Sequence, residues 1–159
     1  MENGLLLAAT GLLILAAWWF WRKPQLPVET LLLGTWQSNR DLNIATMLPS
    51  VSQLPQAVVH EFFEAFGRLR VTYTPEAMIS MMTAVGEHPE SRSTGIYRIL
   101  STKRRKLTLE STDESTGETK VVVIHFVSAD RYWLDISGRV KTLVIWDTSE
   151  WREYFDRLK

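Results

Sequence analysis

Residues 32–39 read LLGTWQSN, and this stretch predicts the first strand of a mainly β fold. A helix is expected next, at about residues 52–66, and Gly67 supplies a C-terminal stop for it. The apolar residues of this helix recur at helical spacing, and they are Val58, Val59, Phe62, Phe63 and Phe66.

Short strands dominate the rest of the chain. They are predicted at residues 68–74, 77–85, 94–102, 106–111, 120–127, 131–136 and 140–146. The later links between them are short and rich in turn-forming residues, which implies antiparallel neighbours. We therefore expect a meander of about eight strands, either closed into a barrel or folded as a two-layer sandwich. A final helix is expected over residues 148–158, because its apolar residues Trp151, Tyr154, Phe155 and Leu158 form one stripe.

This order of elements, with Gly34-Thr35-Trp36 on the first strand, resembles the lipocalin-like (calycin) superfamily. In that superfamily the Trp of a Gly-x-Trp motif packs across the closed end of the barrel, often under an Arg from near the last strand. The resemblance gives Gly34 and Trp36 this structural role, with Arg139 and Arg152 as alternative candidates for the Arg. Residues 129–132, Ala-Asp-Arg-Tyr, match a second, Thr-Asp-x-Tyr-like pattern, with Ala in the place of Thr.

The fold class implied is mainly β: a lipocalin-like antiparallel meander barrel of about eight strands over residues 31–159. One helix follows the first strand and another ends the chain. The first of these helices is atypical of lipocalins and closer to the fatty-acid-binding branch. Such a barrel is able to enclose a small apolar ligand, but the resemblance implies no particular activity.

Residues 4–21 form one apolar run without a charged side chain. At about 1.5 Å per residue, a helix of this length crosses most of a hydrocarbon layer roughly 30 Å thick, so the run predicts a single transmembrane helix. The residues expected at the membrane interface are Trp18, Trp19, Trp21, Arg22 and Lys23. A cleaved signal peptide is the alternative, and it is disfavoured because no basic residue precedes the run. Residues 22–30 predict a short, proline-containing linker.

Charge places the folded domain relative to the membrane and limits its partners. Arg22 and Lys23 follow the apolar run, and basic flanks tend to stay in the cytoplasm, so we expect the domain on the cytoplasmic side.

The chain has 18 Lys and Arg against 18 Asp and Glu. A nucleic-acid-binding protein normally has a basic excess, so no nucleic acid is expected as a partner. The chain has no cysteine, which leaves the compartment open.

No motif in the sequence predicts catalysis, a cofactor or a metal. His60 and Glu64 lie one turn apart on the predicted helix, and an exposed i,i+4 pair is favoured over a metal or acid–base pair because no third ligand is suggested. His88 is expected in a solvated turn. For His125, an outward or hydrogen-bonded position on its strand is favoured over one inside the barrel. Nucleophile-elbow, phosphate-loop and HExxH patterns are absent from the sequence.

Alternating apolar residues predict the walls of the barrel interior. The residues expected to line a ligand site there are Val122, Ile124, Phe126, Tyr132, Leu134 and Met78. Residues 103–106, KRRK, form the one basic run. A solvated hairpin tip is the favoured interpretation of this run, and contact with anionic headgroups is the alternative.

These patterns favour a non-catalytic, single-pass membrane protein. We expect it to act as an accessory or scaffolding subunit of a membrane protein assembly, with the lipid bilayer and membrane proteins as its partners. The alternative is a membrane-tethered carrier that binds a lipid or another small apolar ligand in the barrel.

Overall fold

The computed structural model describes residues 27–51, 55–64, 66–84, 89–137 and 151–159. Three helices lie in these ranges: α1 (Val28–Leu32), α2 (Arg40–Val51) and α3 (Gln56–Glu64). The strands are β1 (Gly34–Ser38), β2 (Leu69–Tyr73), β3 (Met78–Met82), β4 (Ser91–Lys103), β5 (Lys106–Asp113), β6 (Thr119–Ser128), β7 (Arg131–Asp135) and β8 (Arg152–Arg157).

The eight strands form a closed antiparallel barrel. Each strand pairs with the next one in the sequence, and β8 pairs back onto β1 through Ser38 opposite Phe155 and Trp36 opposite Arg157. Every strand has a partner on both sides, although residues 96–103 of β4 pair only with β5 and residues 119–123 of β6 pair only with β5. The prediction of a mainly β meander is confirmed. Of the two architectures expected, a barrel and a two-layer sandwich, the barrel is correct.

Strict up-and-down order puts the connections alternately at the two ends of the barrel. At one end lie α1 and the turns that follow β2, β4 and β6, and we call this the closed end. At the other end lie α2, α3 and the connections that follow β3, β5 and β7, and we call this the helical end. Pro27 directly precedes α1, so residues 1–26 join the barrel at its closed end.

Buried side chains of the described residues pack together inside the barrel between these ends. The largest cluster of buried side chains comprises Leu32, Trp36, Val71, Tyr73, Leu107, Leu109, Ile124, Phe126, Tyr132 and Phe155. Leu32 comes from α1, so this helix plugs the closed end. A second cluster covers the helical end and consists of Met47, Phe63, Phe66, Ile136 and Trp151. The described residues inside the barrel therefore form a core of contacting side chains, as the width of an eight-stranded barrel permits.

The first part of the domain differs from the prediction in its helices. The chain forms α1 over Val28–Leu32, partly within the predicted linker, and β1 begins only at Gly34. Residues 40–51 form α2, which the sequence pattern did not predict, and the predicted helix at 52–66 corresponds to the shorter α3. Asn39 caps α2, since its Oδ1 accepts a hydrogen bond from the Leu42 N–H at 2.8 Å.

The predicted C-terminal helix is wrong, because residues 152–157 form strand β8. Trp151, Glu153 and Phe155 are buried while the residues between them are partly exposed, which is the period of a strand. A buried glutamate hides this alternation from a hydrophobicity pattern. Its cost is offset by a 2.7 Å hydrogen bond that Ser38 Oγ donates to Glu153 Oε1.

Several predicted features lie outside the described residues. They are the transmembrane helix at 4–21, the interface residues Trp18, Trp19, Trp21, Arg22 and Lys23, the strand at 140–146, and Arg139. Among the residues that the structure does describe, no helix combines the length and the apolar character that crossing a bilayer requires.

Candidate functional site

An aromatic–arginine unit closes the end of the barrel beside α1. Trp36 is fully buried, and its Nε1–H donates a 2.8 Å hydrogen bond to the Leu32 carbonyl. The Arg157 guanidinium lies over the indole, with Cζ 4.3 Å from the ring centroid. Its Nη1 donates to the Leu33 carbonyl at 2.6 Å, and its Nε donates to the Ala129 carbonyl at 3.1 Å. Its Nη2 donates to the Leu31 carbonyl of α1, so one guanidinium ties α1, β8 and the β6–β7 turn together over Trp36.

Gly34 belongs to the same unit. Its φ of +124° is rarely adopted by residues with a side chain, and an added Cβ would lie 2.7 Å from Arg157 Nη1. A glycine two residues before Trp36 is therefore required for the guanidinium to reach its place.

Neither arginine that the sequence suggested is seen in this role. Arg152 lies on the outer face of β8, with its Cζ 4.4 Å from the centroid of the Trp133 ring, and Arg139 is not among the described residues. Arg157 takes the position over Trp36. The sequence analysis missed it because residues 148–158 were assigned to a helix, and only the pairing of Trp36 with Arg157 on neighbouring strands brings the two together.

The six residues predicted to line a ligand site all belong to the barrel core. Ile124, Phe126 and Tyr132 are buried, whereas Val122, Leu134 and Met78 are partly buried and pack against them. These side chains contact other core residues. For example, the rings of Trp36 and Tyr132 are 4.7 Å apart, and those of Tyr132 and Phe155 are 5.0 Å apart. Ligand binding by these residues stays a prediction.

Two tyrosine hydroxyls lie inside this apolar core. Burial raises the pKa of Tyr132 well above its usual value and also raises the pKa of Tyr73. Tyr132 Oη makes no hydrogen bond of normal geometry with any residue that the structure describes, and its polar neighbour is Tyr73. Tyr97 differs, because its hydroxyl donates a 2.6 Å hydrogen bond to the Thr74 carbonyl.

A buried polar network, which the sequence analysis did not anticipate, fixes α2 to the barrel. Ser38, Asn43 and Glu153 are all buried. Asn43 Nδ2 donates to Ser38 Oγ at 3.1 Å, and Asn43 Oδ1 accepts from the Tyr154 N–H at 2.7 Å. These bonds satisfy the buried groups, so we assign the network a structural role.

The outer face of the barrel carries a stack of three side chains. The rings of His125 on β6 and Trp133 on β7 are parallel, with centroids 3.8 Å apart, and Arg152 on β8 lies over the same Trp133 ring. His125 thus points outward, as favoured from the sequence, since Ile124 and Phe126 on either side of it point inward. The stack is produced by the strand register, which puts His125 opposite Trp133.

Residues 103–106 form the tip of the β4–β5 hairpin, and we call them the basic tip. All four side chains are exposed, and Arg104 has a left-handed φ of 55°, as a two-residue hairpin turn requires. A groove of about 610 Å³ runs between the basic tip and the outward stack. Its lining residues are Lys103, Arg104, Arg105, Lys106, His125, Phe126 and Trp133.

A second groove, of about 560 Å³, lies beside the first where β6 and β7 diverge. It is lined by Lys106, Lys120, Val121, Val122, Val123, His125, Leu134, Asp135 and Ile136. Exposed apolar side chains continue along the outer surface nearby, with Val121 60% exposed and Ile96 56% exposed. This side of the barrel therefore combines basic and apolar surface.

The remaining candidate residues are exposed, partly buried or outside the described part of the chain. His60 Nδ1 and Glu64 Oε1 are 3.6 Å apart on α3, and both side chains are exposed. Groups of three or more His, Cys, Asp or Glu suited to a metal are not found among the described residues, and His88 lies outside them. Met78, Met81 and Met82 are partly buried on β3.

Comparison with protein-family models, with curated proteins and with solved structures gives no match to this chain.

Proposed function

We propose that this chain is a membrane-tethered, non-catalytic barrel that acts as an accessory or scaffolding subunit of a membrane protein assembly. The tether is the charge-free run at 4–21, with Arg22 and Lys23 marking its aqueous edge on the cytoplasmic side. The linker at 22–30 is short, and it ends in α1, which packs against the barrel core through Leu32. This arrangement holds the closed end of the barrel near the bilayer.

The proposal includes kinship with the lipocalin-like superfamily. The resemblance implied a Trp packed across the closed end under an Arg from near the last strand. Trp36 at the closed end under Arg157 of β8, with Gly34 leaving room for the guanidinium, supports that kinship. The eight-stranded meander supports it as well.

The observation that carries the accessory function is the cluster of buried side chains that contact one another inside the barrel. Trp36 at the closed end packs on Tyr132, Tyr132 packs on Phe155, and all three are fully buried. A second cluster of buried side chains covers the helical end. When side chains occupy the core of a barrel, its outer surface is the part that can bind a partner. On that surface Val121 and Ile96 are exposed apolar residues, which suit a protein contact better than they suit solvent.

Co-purification of the full-length protein from its own membranes tests this function. Wild type, extracted in mild detergent, is expected to retain membrane subunits in fixed stoichiometry. Replacing residues 4–21 with an unrelated apolar span, or introducing Ile96→Lys with Val121→Lys, is expected to lose them. Leu48→Lys is the matched control, because Leu48 is 47% exposed on α2, away from this face. Retention of the same subunits by all variants would contradict the proposal.

A membrane-tethered carrier of a lipid or other small apolar ligand is the second candidate, and the Tyr132 hydroxyl favours it. That hydroxyl is buried without a hydrogen bond to the described residues, and a polar ligand atom in the barrel would satisfy it. Val122→Trp adds a large side chain to the wall. For a carrier it is expected to abolish ligand retention while the domain stays folded, whereas for an accessory subunit the co-purifying proteins are unchanged.

A further inference from the structure

The two ends of the barrel differ in charge, although the whole chain is neutral. The basic tip extends from the closed end. Asp113, Glu114 and Glu118 lie around the β5–β6 turn at the helical end. Since these two turns are at opposite ends of the same strand, β5, the charge separation runs along the barrel.

The positive charge of the basic tip is not neutralised by the described part of the chain. Other cations on the same sheet are paired: Arg98 Nε lies 2.7 Å from Glu110 Oε1, and Lys120 Nζ lies 2.9 Å from Glu118 Oε2. None of the four basic side chains of the tip forms an ion pair with a residue that the structure describes. Four adjacent cations without counter-charges suit an anionic surface.

The place of the basic tip in the fold indicates which surface that is. Residues 1–26 join the barrel at Pro27, at the closed end, and the basic tip extends from this same end. In a protein tethered through residues 4–21, the tip faces the bilayer. The groove beside the tip adds the indole of Trp133, an aromatic group that favours the headgroup level of a membrane.

We propose that the basic tip and its groove bind the anionic headgroups of the phospholipid bilayer to which the barrel is tethered. This inference rests on the proposed tether for the direction in which the tip faces. Arg104 presents a planar guanidinium group that matches phosphate oxygens. The Nη1 of Arg105 donates to the Val127 carbonyl, which leaves its other N–H groups for a phosphate, and Lys103 and Lys106 add charge on either side. Contact at the tip fixes the tilt of the barrel, so one side of its outer wall is presented to partners.

The test uses the full-length protein, reconstituted into vesicles of phosphatidylcholine alone or mixed with phosphatidylglycerol. Because the chain has no cysteine, one introduced cysteine labels one position. Thr102→Cys places a fluorophore beside the basic tip, and Thr116→Cys places one in the turn at the helical end. A quencher carried on lipid headgroups then reports contact. We expect stronger quenching of the tip label in anionic vesicles than in neutral ones, and no quenching of the Thr116→Cys label in either kind.

Charge removal gives the size of the effect. Each basic side chain near an anionic leaflet favours contact about fivefold. Lys103→Gln with Arg104→Gln is therefore expected to lower the ratio of contacting to non-contacting molecules about 30-fold. Arg92→Gln with Lys120→Gln removes the same charge at the helical end and is expected to leave the ratio unchanged. Salt at 1 M is expected to abolish the contact, because the screening length falls to about 3 Å.

Vesicle flotation separates failure of this inference from failure of the tether. If the protein floats with both kinds of vesicle but the tip label is unquenched, or is quenched equally in neutral vesicles, the headgroup site is refuted and the tether stands. If it floats only with anionic vesicles and Lys103→Gln with Arg104→Gln releases it, the site stands and the tether fails. If it floats with neither, both fail.

Discussion

Replacing Arg157 with methionine is expected to destabilise the barrel strongly. The change removes the cation–π contact with Trp36, worth about 1–2 kcal/mol where solvent is largely excluded. It also removes charged hydrogen bonds to the Leu33 and Ala129 carbonyls, each worth about 1.5–3 kcal/mol. These terms are not additive, and the Arg157 side chain is 23% exposed, so we expect a loss of about 3–5 kcal/mol.

The assay is thermal and urea unfolding of the full-length protein in mild detergent, followed by tryptophan fluorescence. A loss of this size corresponds to a fall in Tm of about 10–15 °C. Arg152→Met is the matched control, because Arg152 stacks on Trp133 at the outer face, and we expect it to cost about 1 kcal/mol or less. A double-mutant cycle of Arg157→Met with Trp36→Phe is expected to show coupling of about 1 kcal/mol. Equal losses for Arg157→Met and Arg152→Met would refute the assignment of Arg157 to the closed end.

Three further changes test other parts of the structure. Gly34→Ala is expected to lower the free energy of unfolding in urea by about 2–4 kcal/mol, because φ is +124° and the new Cβ would contact Arg157. Gly117→Ala is the control: its φ is +69° and its surroundings are open, so we expect a loss of about 1–2 kcal/mol. Equal losses would contradict the close approach of Arg157 to Gly34. Tyr132→Phe is expected to be neutral or to stabilise by about 1 kcal/mol, because its hydroxyl makes no hydrogen bond of normal geometry in the described core, where Tyr73 is its polar neighbour. A clear loss would indicate a bound polar group. The Arg131 guanidinium donates hydrogen bonds to Asp156 and lowers the pKa of this carboxyl group. The carboxylate therefore stabilises the fold fully above its unfolded pKa of about 4. This contribution is lost as the pH falls towards the lower pKa of the folded state. Asp156→Asn is therefore expected to reduce stability at pH 7 and to flatten the pH dependence of Tm below pH 4, and an unchanged acid profile would count against the ion pair.

The sequence predicted the middle of the barrel because alternation is local. Along β6, Ile124 and Phe126 point inward while Val123 and His125 point outward, and this alternation needs no knowledge of the partner strands. Strands β2 to β7 were each located to within a few residues, and alternation was the signal in β2, β6 and β7. The number of strands and the short links between them left a barrel and a two-layer sandwich open, and the resemblance to the lipocalin-like superfamily implied the barrel.

What the sequence analysis missed depends on contacts between distant residues or on buried polar groups. Strand β8 was taken for a helix because Glu153 is buried, and its hydrogen bond from Ser38 joins residues far apart in the chain. Helix α2 was missed for a related reason, since its fully buried residue is the polar Asn43.

In the candidate sites, too, individual residues could be predicted and long-range contacts could not. The residues of the barrel wall and the basic tip were identified from the sequence, but their arrangement was not. Arg157 reaches Trp36 only through the pairing of β1 with β8, and His125 meets Trp133 only through the register of β6 with β7. These pairings are set by the closed barrel as a whole, and no short motif carries them.

Native mass spectrometry of the full-length protein, released from mild detergent, tests the central claim most directly. This method measures the mass of the chain together with every protein or small molecule that the chain retains. The accessory function predicts a complex heavier than the chain by whole membrane subunits, with no small molecule bound to the barrel. A mass equal to the chain plus one small molecule, with no protein subunit, would contradict it and identify a tethered carrier.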